Sequence, residues 1–154
     1  QTFDYQHDSQ RVAVIQEYLV FLAHSCDRLA SELMSAGERE VFMARLASEC
    51  ARHLQRNSEE VLGVGDYSSP FIDIFNAHNL AYAQCAFQDG EPGYALLRTF
   101  ASNIQALMGQ DQKNRWVIDQ VIDIDSRESF QQVKRSMHNI LDTSARGHGR
   151  PDRT

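Results

Sequence analysis

The sequence predicts an all-α fold, a single-domain bundle of five to six helices that begins with an antiparallel helical hairpin. Apolar residues recur at steps of three and four through most of the chain, the spacing that lines up one face of a helix. Breakers and capping residues fall between those periodic stretches. The 154 residues, 42% hydrophobic and 23% charged, suit one globular domain with a real core. Residues 1–142 are expected to form the bundle. Residues 143–154 carry no large apolar side chain and are expected to form a loose polar tail.

In the first helix Val12, Ile15, Leu19, Leu22, Cys26, Leu29 and Leu33 share one stripe. Asp8 or Ser9 supplies a start and Gly37 an end. A second stripe, Val14, Tyr18 and Phe21, widens the apolar face. A face that wide predicts either a central position or a shared surface, so these three are the expected contacts with a partner. Ser35 and Glu38 stand at capping-box spacing. The second helix then runs to about Leu62, with Phe42, Met43, Leu46, Cys50, Leu54 and Val61 inward. The short link between the two makes them a hairpin.

Residues 63–66, Gly-Val-Gly-Asp, break the pattern. Ser69 and Pro70 read as the cap and first position of a third helix, whose stripe is Phe71, Phe75, His78, Tyr82 and Cys85. Residues 89–93, Asp-Gly-Glu-Pro-Gly, form a turn. A fourth helix carries Tyr94, Leu97, Ala101, Ile104 and Leu107 and stops at Gly109. Residues 112–125 are read as helix, because Val117 with Val121 and Ile118 with Ile122 pair at i,i+4, although their β-branched content also suits a strand. Asp125 and Glu128 open the last helix, with Phe130, Val133, Met137, Ile140 and Leu141 inward.

The formal net charge is −6 and the pI about 5.4. Phosphate backbones and anionic lipid repel such a chain, so neither nucleic acid nor membrane is an expected partner. Cys26, Cys50 and Cys85 include no Cys-x-x-Cys pair. They read as reduced thiols of a cytoplasmic protein.

No catalytic signature is present. Gly63 and Gly65 lack the third glycine and the Lys-Ser/Thr sequel of a phosphate loop. No serine sits in Gly-x-Ser-x-Gly. Glu59 with Glu60, and Asp119, Asp123 and Asp125, read as solvated faces. Arg45, Arg52 and Arg56 share an outer face with Glu49, Glu59 and Glu60, which predicts surface pairing. The one constellation with metal chemistry is a layer of thiols and histidines on facing helices. Cys50 and His53 form an i,i+3 ligand pair, and His78 on an apolar stripe could serve as an axial cofactor ligand, of haem for example.

Two functional expectations follow. One is a small acidic interaction or regulatory module that binds a protein partner or forms a homo-oligomer, in the simplest case a homodimer, through Val14, Tyr18 and Phe21. The other is a metal- or haem-binding helical protein, an enzyme in some cases, that uses Cys50, His53 and His78.

Overall fold

A computed structural model describes residues 7–88, 90–109, 120–121 and 126–148, with backbone alone for 88 and 140–148. The fold is all-α, and five helices lie among those residues. They are α1 (Asp8–Leu33), α2 (Ala36–Leu62), α3 (Ser68–Ala83), α4 (Tyr94–Met108) and α5 (Ser126–His148). A two-residue antiparallel ladder, β1 (Phe87–Gln88) with β2 (Glu91–Pro92), closes the turn between α3 and α4. Gly90 sits there at φ 76°, a conformation that glycine adopts without steric cost. No described helix is long and apolar enough to cross a membrane.

α1 is the centre of the bundle, and α2, α3, α4 and α5 all pack on it. It also satisfies the ends of its neighbours. Gln10 Nε2 donates to the carbonyls of Leu107 and Met108 at 3.1 and 3.2 Å, at the C-terminus of α4. Arg28 Nη2 donates to the carbonyls of Ala83 and Cys85, both at 3.0 Å, at the C-terminus of α3. Helix C-termini leave carbonyls without intrahelical partners, so both contacts are tertiary caps. The capping box at the start of α2 is present. Glu38 N donates to Ser35 Oγ at 3.2 Å and Ser35 N to Glu38 Oε1 at 3.1 Å. Across the hairpin turn Arg39 holds Asp27 with two bonds of 2.6 and 2.8 Å.

Several boundaries differ from the local reading. His7, not Asp8 or Ser9, caps α1, its Nδ1 accepting from Gln10 N at 3.0 Å. α1 ends at Leu33 with Met34 in extended conformation, so Gly37 belongs to the first turn of α2. α3 begins at Ser68, before the expected Ser69–Pro70 cap. Gln55 Oε1 on α2 accepts from Tyr67 N and Ser68 N at 2.7 and 3.0 Å, and Asp66 Oδ1 accepts from Ser69 N at 3.1 Å. Gln55 lies 12 residues from Tyr67, outside any local capping pattern. The last helix runs through His148, past the boundary expected at 142, because no breaker precedes Gly147. Of the stretch 112–125, only Gln120 and Val121 are described. Both are helical, and Val121 is buried in the main core. Asp119, Asp123 and Asp125, and the side chains of Ile140 and Leu141, lie outside the described residues.

The core is aromatic. Phe21 stacks on Phe100 with centroids 4.2 Å apart and an interplanar angle of 9°, and Tyr18 meets Phe100 edge-on at 4.9 Å. Phe71, Phe75 and Tyr82 of α3 complete this cluster. A smaller cluster of Leu29, Ala30, Phe130 and Met137 joins α1 to α5. On α1, Val14 and Phe21 of the second stripe are fully buried and Tyr18 is half-buried, while Ile15 and Leu33 of the first stripe are exposed. On α4 the buried face turns to Leu96, Phe100 and Met108, and Tyr94 and Leu107 face out. Removing a large aromatic from such a core forfeits its transfer energy and leaves a cavity. Phe100→Ala is therefore expected to lower unfolding free energy by about 3–5 kcal/mol. Urea denaturation followed by circular dichroism checks this.

Candidate functional site

Of the residues expected to face a partner, Val14 is 1% and Phe21 0% exposed, and Tyr18 is half-buried against Phe100. The wide apolar face of α1 is covered from within the chain by α3 and α4. These residues are interior side chains, not a presented surface. Cys50 is half-buried, and His53 on the next turn is exposed. No group of three or more His, Cys, Asp or Glu able to hold a metal ion occurs among the described residues. Burial, with Cys50 and Asp27 nearby, pushes the Cys26 thiol up to about 11, and burial also raises that of Cys50. Thiols held protonated in this way are weak nucleophiles and weak ligands. On the arginine face, Arg52 meets Glu49 at 2.7 Å as an exposed pair.

His78 has a partner that periodicity did not reveal. Glu17, in the middle of α1, is 1% exposed. As a carboxylate it can only accept, and it accepts three times. The Nδ1–H of His78 donates to Oε2 at 2.7 Å, the Tyr82 hydroxyl donates to Oε1, and Asn103 Nδ2 donates to Oε1 at 2.9 Å. Asn103 Nδ2 also reaches the Tyr82 hydroxyl at 3.3 Å. Three helices thus converge on one buried charge. Burial first, then the charge of Glu17 and the bond to it, holds the Tyr82 hydroxyl far above its ordinary range, so Tyr82 is a fixed donor. Beside the cluster lies a pocket of about 270 Å³, lined by Glu17, His78, Asn103, Ile74 and Leu107 among others. A cavity of that size accommodates a small molecule and not a haem macrocycle.

Two turns further along α1, His24 is also fully buried. Its Nδ1 donates to Asn79 Oδ1 at 2.9 Å, and its Nε2 has no partner among the described residues. Burial is the largest influence and lowers the pKa of this ring, only partly opposed by the bond to Asn79.

A signal for both groups exists in the sequence. Val14, Glu17, Phe21 and His24 follow steps of three and four, so Glu17 and His24 share the stripe that is buried most deeply.

The second feature is an apolar groove of about 670 Å³ at the other end of the bundle. Its floor is Leu22 and Cys26 of α1, one wall is Phe42 and Leu46 of α2, and the other is Val133 and Met137 of α5. Ser129, Gln132 and Ser136 add a polar line along the α5 wall. A shallower hollow lined by Met34, Val41 and Phe42 continues it around the hairpin turn.

The His24 environment predicts a pH dependence. Its folded pKa lies below the unfolded 6.5, so the unfolded chain binds the extra proton first. The contribution is complete above pH 6.5 and is lost as pH falls through the lowered folded value. His24→Leu is expected to remove that part of the decline in stability below pH 6.5, with the two proteins running parallel above it. Urea midpoints measured across this range for both proteins test the sign.

No protein-family model matches this chain, and neither the curated proteins nor the solved structures searched contain a significant match.

Proposed function

We propose that this protein is a helical interaction module that receives an amphipathic helix of a partner protein in the groove between α1, α2 and α5. The observation that carries the reading is the groove itself. Among the described residues, α2 and α5 each pack on α1 but scarcely on each other. An apolar trough is therefore left where a bundle would place one more helix. Contiguous exposed apolar surface of this kind marks binding sites on soluble proteins.

The lining suits a helical segment. Leu22, Phe42, Leu46 and Val133 offer aliphatic and aromatic contact, and Met34 and Met137 supply unbranched side chains that adapt to different partners. Leucine, phenylalanine or methionine at i, i+3, i+4 and i+7 of the incoming helix would lie along the trough. Ser129, Gln132 and Ser136 would meet its polar flank. Val41, 70% exposed, extends the apolar strip past the open end.

A short amphipathic peptide of leucine and glutamate is the probe. Saturable binding is expected, with amide shifts in nuclear magnetic resonance spectra confined to residues near the groove. Leu46→Glu and Val133→Glu are each expected to weaken binding by about tenfold or more, since each places a charge in an apolar contact. Shifts scattered over the surface, or affinity unchanged in both variants, would sink the reading. If light scattering instead shows a dimer that Val133→Glu dissociates, the groove takes a second copy of this chain and the heterologous partner is ruled out.

A further inference from the structure

The groove between α1, α2 and α5 is apolar, and the charges along its two rims are unevenly matched. On the α2 side the carboxylates are already engaged. Glu38 is held in the capping box with Ser35, and Glu49 meets Arg52 at 2.7 Å. Arg45 stands one residue before Leu46 and three after Phe42, on the exposed row of α2 that borders the groove. It forms no hydrogen bond or salt bridge among the described residues. Arg52 chiefly holds the Glu49 carboxyl below the usual carboxylate range, and Arg45 contributes least to that shift. On the α5 side a second hollow, lined by Arg127, Glu128, Gln131, Gln132 and Arg135, shares Gln132 with the groove. Glu91 beside it accepts from Gln131 at 2.9 Å. Arg127 and Arg135 form no hydrogen bond or salt bridge among the described residues, and the same is true of Glu128. Along the two rims, then, the guanidinium groups of Arg45, Arg127 and Arg135 stand uncommitted against the single uncommitted carboxylate of Glu128.

We infer that the partner helix received by the groove is acidic, an apolar row flanked by Asp or Glu whose carboxylates meet Arg45 on one rim and Arg127 and Arg135 on the other. The inference rests on the groove being a helix site. A guanidinium group suits this role, because its planar fork donates two parallel bonds to one carboxylate. The net charge of −6 points the other way. That charge counts for little at contact, since exposed charges more than about 8 Å apart are largely screened at physiological salt. The rim groups are the ones within reach of a bound helix. Exposed ion pairs each contribute modestly to affinity, and their larger effect is on choice of partner. A lysine-flanked helix would set like charges together at Arg45, Arg127 and Arg135. Apolar contact with the trough holds the helix, and the rims decide which helices are accepted.

Three peptides that share one leucine row and carry glutamate, glutamine or lysine flanks test the inference on the full chain, by fluorescence anisotropy at about 150 mM salt. The glutamate peptide is expected to bind tighter than the lysine peptide by about tenfold or more, with the glutamine peptide between them. Net charge alone implies the reverse order. Higher salt is expected to narrow the gap. In the double variant Arg45→Glu, Arg135→Glu the lysine peptide is expected to become the tighter binder. Both positions are exposed, so the fold does not depend on them. Equal affinity for the glutamate and lysine peptides, or an order unchanged in the double variant, would overturn the acidic partner and leave the helix site standing. Failure of all three peptides to bind would remove the helix site itself. A dimer of the free chain that the double variant dissociates would put a second copy in the groove and overturn the inference as well.

Discussion

The structure depends on the burial of one carboxylate. Glu17 lies in the middle of the central helix, 1% exposed, on the wall of the pocket it shares with His78 and Asn103. Leaving an ionised carboxylate unpaired in such surroundings costs several kcal/mol. The charge is tolerable only with donors in place, and α1 supplies none of those described. They come from His78 and Tyr82 on α3 and from Asn103 on α4. Apolar contact alone would allow α3 and α4 to slide or rotate along α1 at modest cost. The three bonds single out one register for both helices, because a shift of one turn would strand the carboxylate.

The same helix organises the rest. Gln10 near one end of α1 caps α4, and Arg28 near the other caps α3. Arg28 also lies over the Phe87 ring at 5.8 Å. The aromatic stack of Phe21 on Phe100 fills the space between these polar ties. Dispersion and burial thus supply the attraction, while hydrogen bonds at both ends and the centre decide the alignment. α2 and α5 are tied differently. Near the groove they meet α1 through half-buried side chains such as Leu22, Leu46 and Val133. The two candidate sites therefore fall on opposite kinds of surface. One is a small pocket of mixed lining inside the α1–α3–α4 frame, and the other is an apolar trough where the frame ends.

Much of the architecture was legible in the residues. All helices described here were anticipated, as were the Ser35–Glu38 capping box and the stop at Gly109. These features rest on contacts three or four residues apart, which a linear reading can inspect. The groove and the polar pocket were not legible. Phe42 and Leu46 were read as core, and they are, but only on one side. His78 was read as a lone histidine on an apolar stripe because its partner Glu17 lies 61 residues away. The wide face of Val14, Tyr18 and Phe21 allowed either a central helix or a shared surface, and the burial of Val14 and Phe21 goes with the central position.

By itself, then, the sequence determined the helices, their order, the hairpin and the aromatic and aliphatic material of the core. Periodicity and caps are short-range, and backbone hydrogen bonding converts them directly into helices. The tertiary structure alone decided how each helix is rotated about its axis, which polar side chains meet inside, and where apolar surface is left uncovered. Those outcomes turn on pairings 61, 65 and 86 residues apart around Glu17. A buried charge selects its donors by position in space, and adjacency along the chain does not encode that position.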